Sequence, residues 1–404
     1  MSSKRPIVIT AIITFVCTLF LAAILNFISN SGIAYILGIG GKQDYSASSF
    51  EKAVNIVDQF YYEDVDRADL YKGALEGMIG ALDDEYSWFV DEDAYKELKE
   101  ETSGEYTGIG VTVSIDNEDD TITVIAPVED TPAFKAGIKP GDKILAIDGV
   151  NVGMSNYREA VSMMKGDSSS VGKEIVLTLK RAETGITEDL ILVREKIHLV
   201  TVKSKMLPEN IGYIRITSFG ENTYNEFKQQ FDALGADKLK GLVLDLRNNG
   251  GGMLNPTLDI ADTFLDEGLI TYFEYKNGQK TEYKSDKEMV DVPIVVLVNG
   301  QSASASEVLA AALHDRIGAT LVGEKTFGKG IVQTILPFIE TDKGETAIYI
   351  TTSRYFTPEG VCIHGTGINP DVNVVLPEEY TKLGFDNLTM EQDNQLKTAW
   401  EMLK

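Results

Sequence analysis

The chain has only two cysteines in 404 residues, Cys17 inside an apolar stretch and Cys362 near the far end. That placement argues against a disulfide and excludes a metal site built from cysteines. Histidine is almost as scarce: His198, His314 and His364 stand far apart, and no metal or other cofactor is expected. Basic residues are in deficit, 37 against 62 acidic ones, for a formal net charge of −25. A nucleic-acid partner needs a basic face, so that class is excluded, and the charge is read as keeping a surface-exposed protein soluble. Phosphate cradles are missing too. The dinucleotide fingerprint Gly-x-Gly-x-x-Gly is absent, and Gly323-Glu-Lys-Thr-Phe-Gly-Lys-Gly330 is one residue short of a P-loop. Gly330 stands where a magnesium-binding hydroxyl is needed. The β-branched run that follows, ending in Pro337-Phe338, reads as a strand where a helix is required.

What the chain does have is apolar residues, 43% of the total, enough for two or three domains with sizeable cores. Residues 7–28 carry no charge and have the length of a single membrane-spanning helix. Lys4 and Arg5 precede them, which puts residues 1–6 in the cytoplasm and the rest outside. No Ala-x-Ala cleavage site is evident, so an uncleaved anchor is expected in the cell membrane, followed by a tether over 29–48. Apolar residues then recur at helical steps over 49–101, with helices at about 69–82 and 91–100. This helical region carries no chemistry and reads as packing or homodimerisation.

From Gly104 the pattern changes to short strands, at 109–115, 121–125, 143–147, 175–180 and 190–193, with helices at 131–136 and 155–165. This fits a small, partly open β-barrel spanning about 102–195. From His198 the pattern is α/β. A strand at 211–216 and a helix at 223–234 precede the continuous apolar run 241–246. That run has the texture of a strand covered on both faces. It feeds Arg247-Asn-Asn-Gly-Gly-Gly252 and a helix at about 256–265. Three glycines between strand and helix let N–H groups converge on one anionic atom, and an oxyanion suits them better than a phosphate.

A second apolar strand, 294–298, runs into Asn299-Gly-Gln-Ser-Ala-Ser-Ala-Ser-Glu307 and a helix over 308–313. Small residues there can expose a serine beside the free N–H groups of a new helix. Ser302, Ser304 and Ser306 are equally eligible. A serine needs a base, and a neutral lysine can serve where no histidine is placed for it. Lys329 lies between Gly328 and Gly330, and Gln333 follows by four residues, on the same side of an extended chain.

Two resemblances sharpen this. Asp130-Thr-Pro-Ala-Phe-Lys-Ala-Gly-Ile-Lys-Pro-Gly-Asp-Lys-Ile144 resembles the signature of PDZ domains. The resemblance implies a carboxylate-binding loop at Gly108, Ile109, Gly110 and Val111, a groove wall at helix 157–164, and the apolar carboxyl terminus of another polypeptide as partner. The serine and lysine stretches together resemble the carboxyl-terminal processing peptidases, a Ser/Lys family. Leu82-Asp83, Leu244-Asp-Leu-Arg-Asn-Asn-Gly-Gly-Gly252, Gly365-x-Gly-Ile-x-Pro-Asp371 and Asp393-x-Gln-Leu396 fall in the family's order. In that family the nucleophile precedes the lysine by 25 residues, which implies Ser304 with Lys329 and Gln333.

The same resemblance implies oxyanion donors at Ala305 and at Gly250 or Gly251, and a crotonase-like catalytic core over 196–380 with a helical segment over 381–404. Lys165 stands where relatives carry an arginine that couples the PDZ domain to the active site, and His364 where they often have glutamine. The expectation is a membrane-anchored, extracytoplasmic serine endopeptidase of mixed α+β and α/β multidomain architecture that grips substrate tails. The alternative is a non-catalytic PDZ scaffold that binds protein carboxyl termini.

Overall fold

The structure, a computed structural model, describes residues 45–116, 119–381 and 383–404. The expected anchor at 7–28 and nearly all of the tether lie outside the described residues. Among the described residues no helix is long and apolar enough to cross a membrane. The chain divides into two units, one ending at Phe89 and one beginning at Val90.

Two helices make up most of the described part of the first unit: α1 (Ala47–Phe60) and α2 (Arg67–Gly80). Ser46 caps α1 by accepting from the Ser49 N–H, and Asp66 caps α2 by accepting from the Ala68 N–H. Arg67 clasps the pair, reaching Glu51 at 2.8 Å and Asp58 at 3.0 Å. Only Val54 and Ile79 are buried in these helices, while Phe50, Phe60 and Tyr61 remain exposed.

The second unit begins with α3 (Glu92–Ser103) and β1 (Glu105–Gly108). A five-stranded antiparallel path follows, built from β2 (Val111–Asp116), β3 (Thr121–Pro127), β4 (Lys143–Ile147), β6 (Glu174–Lys180) and β7 (Thr187–Val193) in that spatial order. The short β5 (Val150–Asn151) pairs with β4. Helices α4 (Pro132–Lys135) and α5 (Tyr157–Lys165) complete the module, and Ala160 and Met164 of α5 enter its apolar core. The single strand expected at 109–115 is broken, because Gly110 takes a φ of +74° and turns the chain between β1 and β2. The exit strand β8 (Glu195–His198) pairs antiparallel with β1, so the module's entry and exit lie side by side.

The remaining chain forms a mostly parallel sheet. Its strands are β9 (Val202–Leu207), β10 (Ile211–Ile216), β11 (Gly241–Asp245), β14 (Ile294–Val298), β15 (Thr320–Gly323) and β18 (Val372–Asn373), adjacent in that order, with only β9 antiparallel. The continuous apolar runs have a direct cause. Leu242, Leu244, Val296 and Val298 pack with Phe227 of α6 (Thr223–Ala233), Phe264 of α7 (Leu254–Phe264) and Leu309 of α8 (Ala305–Ile317). Val243, Val295 and Leu297 alternate with them and pack against Leu396 and Ala399 of α9 (Asn394–Leu403). Helix α8 is longer than the expected 308–313, and Ala305 to Leu313 are all buried.

An antiparallel layer comprises β12 (Gly268–Tyr275), β13 (Lys280–Ser285), β16 (Ile331–Thr341) and β17 (Gly344–Phe356). Pro337 does not end β16 as its sequence suggests. It pairs with Ala347, and a register irregularity follows before Glu340. A proline is tolerated there because β16 is an edge strand, paired among the described residues with β17 alone, and its missing N–H can face away from that neighbour.

Candidate active site

The C-terminal ends of the adjacent parallel strands β11 and β14 bring the glycine turn and the serine stretch together, the usual place for a site in an open α/β sheet. The three serines, alike in sequence, differ sharply in the fold. Ser302 and Ser306 are fully buried and donate to backbone carbonyls, of Leu246 at 2.8 Å and Asn249 at 2.9 Å. They fasten the serine stretch to the glycine turn. Ser304 is the one that is partly accessible.

Ser304 caps α8 with φ +55° and ψ −117°, a conformation that strains a residue with a side chain by about 1–3 kcal/mol. The surroundings hold it there. Its carbonyl accepts from the N–H groups of Glu307 at 2.8 Å and Val308 at 3.0 Å, and from the Tyr355 hydroxyl at 3.1 Å. Its N–H donates to Glu307 Oε2 at 2.9 Å. The next N–H, of Ala305, has no acceptor among the described residues, as expected at a helix start.

Glu307 joins the two halves of the site, and its role was not foreseen in the sequence. The side chain is fully buried. Oε1 accepts from the Thr326 hydroxyl at 2.6 Å and the Gly328 N–H at 2.8 Å, while Oε2 accepts from the N–H groups of Ser304 and Lys329, each at 2.9 Å. One carboxylate thus fixes the backbone of the serine and of the lysine at once. Tyr355 lies beside it, and burial, reinforced by Glu307, pushes its phenol well above the ordinary range. The pattern Ser304-x-x-Glu307 at the start of an apolar helix is the signal that could have revealed this residue.

Lys329 is partly exposed and lies just before β16. Gly330 packs so closely on the His364 backbone that a Cβ would fall 2.4 Å from its nitrogen, so the exposed His364 borders the lysine loop. Gln333 lies within β16 and donates from Nε2 to Thr351 Oγ1 at 3.3 Å. A register shift between Val332 and Gln333 interrupts the simple alternation expected from Lys329 to Gln333.

Gly251 has φ +104°, and a Cβ there would meet Ala303 O at 2.8 Å and Ser304 Cβ at 2.9 Å. The glycine turn therefore abuts the serine directly. The Gly251 N–H donates to Asn249 Oδ1 at 2.9 Å, whereas that of Gly250 has no acceptor among the described residues. Asn299 ties the two turns together: its Nδ2 donates to Asn248 Oδ1 at 2.7 Å, and its Oδ1 accepts from the Asn248 N–H at 3.0 Å.

In the strand module, Ile109 is buried and its carbonyl accepts from Ala133 N–H, while the Gly110 carbonyl accepts from Val128 N–H and Thr131 Oγ1. The N–H groups of Ile109 and Gly110 have no acceptor among the described residues, and Val111 begins the edge strand β2. Tyr157, the first residue of α5, donates its hydroxyl to the Val113 carbonyl at 3.2 Å. At the other end of α5, Lys165 pairs with Glu100 of α3 at 2.7 Å.

A strained serine at a helix start, a buried carboxylate shared with a lysine loop and an adjoining edge-strand module are an arrangement that suits a serine peptidase with a PDZ domain. Comparison with known proteins agrees. Residues 210–374 match peptidase family S41, residues 97–180 the PDZ domain and residues 38–94 the N-terminal domain of the activating protease CtpB. The chain is 38% identical over 407 residues to the carboxy-terminal processing protease CtpA of Bacillus subtilis (strain 168), covering 98% of this chain and 83% of that protein. It is 36% identical to the carboxyl-terminal-processing protease of Synechocystis sp., covering 82% of this chain and 76% of that one. An S41-family structure from Bacteroides fragilis shares the fold at 17% identity, with a TM-score of 0.54 over 90% of this chain and 99% of that one. The chain belongs to peptidase family S41, as a carboxy-terminal processing serine protease with a PDZ domain.

Proposed function

We propose that Ser304 and Lys329 form the catalytic dyad of an endopeptidase that grips the carboxyl-terminal tail of its protein substrate in the PDZ groove. The observation that carries this reading is Glu307, whose carboxylate accepts from the backbone N–H groups of both residues. Ser304 Oγ attacks the scissile carbonyl carbon while Lys329 Nζ, neutral, takes the hydroxyl proton. The N–H groups of Ala305 and Gly250 hold the oxyanion; Gly251, whose N–H is engaged by Asn249, shapes the turn. Lys329 returns the proton to the leaving amine as the tetrahedral adduct collapses to an acyl-serine. Water, deprotonated by the same lysine, then releases the acyl product. Gln333, whose Nε2 donates to Thr351 Oγ1, is assigned the role of accepting from the lysine amine through its side-chain carbonyl.

The open N–H groups of Ile109 and Gly110, flanked by Gly108 and Val111, suit a terminal carboxylate, and β2 offers an edge for the tail. Lys165, paired with Glu100, links the groove helix to α3 and is the residue through which tail binding reaches the catalytic core. Residues 7–28 anchor the chain in the cell membrane with the peptidase outside. The exposed aromatic residues of α1 are proposed to meet a second copy.

The test is cleavage of a tail-bearing substrate by Ser304→Ala and Lys329→Ala, with folding checked by circular dichroism. Each is expected to lose essentially all turnover while retaining tail binding. Activity retained in either variant sinks the dyad. Ser302→Ala and Ser306→Ala are expected to lose stability in preference to chemistry. Protease accessibility of intact cells reads the topology, and light scattering of the soluble part reads the dimer.

A further inference from the structure

Two residues before Asn249, and three before the first glycine of the turn, lies Arg247, which no catalytic step above employs. It is the largest fully buried side chain among the described residues. Asp245, at the end of β11, accepts from its Nε at 2.9 Å and its Nη2 at 2.6 Å. On the other side Asp393 accepts through both oxygens, from Nη1 and Nη2, each at 2.8 Å, and Gln395 Oε1 accepts from Nη1 at 2.9 Å. All the donors of the guanidinium fork are thereby used. The Phe385 ring covers its face at 3.9 Å, and Tyr213 donates to Asp245 Oδ2 at 2.7 Å. Burial pulls the guanidinium pKa down, but the carboxylates of Asp245 and Asp393 outweigh it, and the net shift is upward.

A buried ion triad is weak evidence for stability, since well-packed apolar residues often serve as well. Its location suggests another use. The Arg247 N–H also donates to Asp245 Oδ1, at 3.0 Å, so side chain and backbone are fixed together where β11 becomes the turn. Asn249, two residues on and equally buried, donates to the Ile216 carbonyl and accepts from the Gly251 N–H, and its own carbonyl accepts from Ala303 N–H and Ser306 Oγ. The turn is therefore held from the serine side by Asn249 and from behind by Arg247. The groups that hold Arg247 from behind come from the last segment of the chain. Asp393 caps α9 by accepting from Leu396 N–H, and α9 is seated on the sheet through Leu396 and Ala399.

We infer that Asp393 and Gln395 are positioning residues for the oxyanion turn, acting through Arg247. Through Arg247, the Asp393 carboxylate and the Gln395 side-chain carbonyl set the geometry of the Gly250 N–H, although neither touches the substrate. This rests on the reading of that N–H as an oxyanion donor.

The test uses the full chain with Asp393→Asn, which keeps the shape and the helix-cap acceptor, and Gln395→Met, which at similar volume removes the acceptor for Nη1 together with the Nε2 donor to the Val374 carbonyl at 2.7 Å. Leu396→Ala is the control, because it loosens the same helix without touching Arg247. For each, kcat and KM on a tail-bearing peptide, the Tm, and amide exchange over 247–253 in a Ser304→Ala background are measured. Asp393→Asn is expected to lower kcat about 100-fold with KM within about twofold, and Gln395→Met about 5-fold, with faster exchange in the turn for both. Leu396→Ala is expected to lose Tm while kcat stays within about twofold.

Wild-type kcat and exchange in a folded Asp393→Asn or Gln395→Met variant would overturn the inference. So would a loss of kcat in Leu396→Ala matching theirs at equal loss of Tm. If Asp393→Asn does not fold, Gln395→Met decides by the same readings. Cleavage retained by Ser304→Ala defeats the serine reading instead, and the exchange measurement still reports whether the segment holds the turn.

Discussion

The catalytic frame and the peptide groove use similar chemical groups in opposite ways. In the frame, Glu307, Asn249 and Arg247 are fully buried, and the Glu307 carboxylate accepts from four donors between 2.6 and 2.9 Å, with the Tyr355 hydroxyl beyond them at 3.5 Å. In the groove, the Lys165–Glu100 pair is partly exposed, at 35% and 17% of the side chains, and Tyr157 reaches a strand carbonyl at a looser 3.2 Å. Buried polar groups in low dielectric act together and tolerate little displacement, whereas exposed pairs are weak and screened. The difference matches two tasks. A nucleophile held at φ +55° needs an over-determined setting, and a groove that admits different tails needs contacts that can be exchanged.

That contrast is tested first where the frame is most connected. Glu307→Gln replaces one acceptor oxygen with an NH2 facing N–H or O–H donors, so at least one buried donor loses its partner. Turnover should fall by at least about 100-fold and stability by about 3 kcal/mol, read by kcat and by urea unfolding. Near-normal kcat would show that the carboxylate only caps a helix. Gly251→Ala comes next: its Cβ would meet Ala303 O and Ser304 Cβ inside 3 Å at a φ of +104°. A loss of about 2 kcal/mol and of most turnover is expected, with tail binding unchanged. Tyr355→Phe removes one bond to the Ser304 carbonyl. It should cost about 1 kcal/mol and about 10-fold in kcat. In the groove, Lys165→Met should lower kcat/KM on a tail-bearing substrate by no more than about 3-fold, and 0.5 M salt should reproduce that in the wild type, while turnover of a peptide lacking the tail stays unchanged in both.

The same contrast explains what could be read in advance. The order of strands and helices followed from apolar runs and turn residues, because each depends on neighbours in sequence. The break at Gly110 and the continuation of β16 through Pro337 did not, since both are decided by what lies beside the strand. Ser302, Ser304 and Ser306 are locally alike; the family's spacing to Lys329 singled out Ser304 in the sequence, and burial distinguishes it from the other two in the fold. Glu307 left a trace as the fourth residue of a capping pattern. Arg247 and Asp393 were legible only as members of two family motifs; that they pair was not, because 146 residues separate them and nothing in either local stretch announces the other.

The smallest expected effect asks whether the contrast belongs to the domain or to burial. His314 lies on α8, the helix that begins beside Ser304, but its side chain is 40% exposed. Asp315 at 3.0 Å, with Asp371 at 3.4 Å adding to it, raises its pKa above the ordinary 6.5 against the opposing effect of burial. Asp371 in turn accepts from Leu321 N–H at 2.8 Å, so the pair helps tie α8 to β15. A raised folded pKa means that protonation favours the folded state. The contribution is fully present below the unfolded pKa of about 6.5 and disappears as pH rises through the higher folded value. His314→Gln should therefore lower the Tm by about 1–2 °C near pH 5.5 and by less near pH 9, since exposed pairs contribute little. A gap between variant and wild type that is large or insensitive to pH would mean that the frame strengthens even its exposed pairs. A small gap that closes with pH would place the boundary at burial.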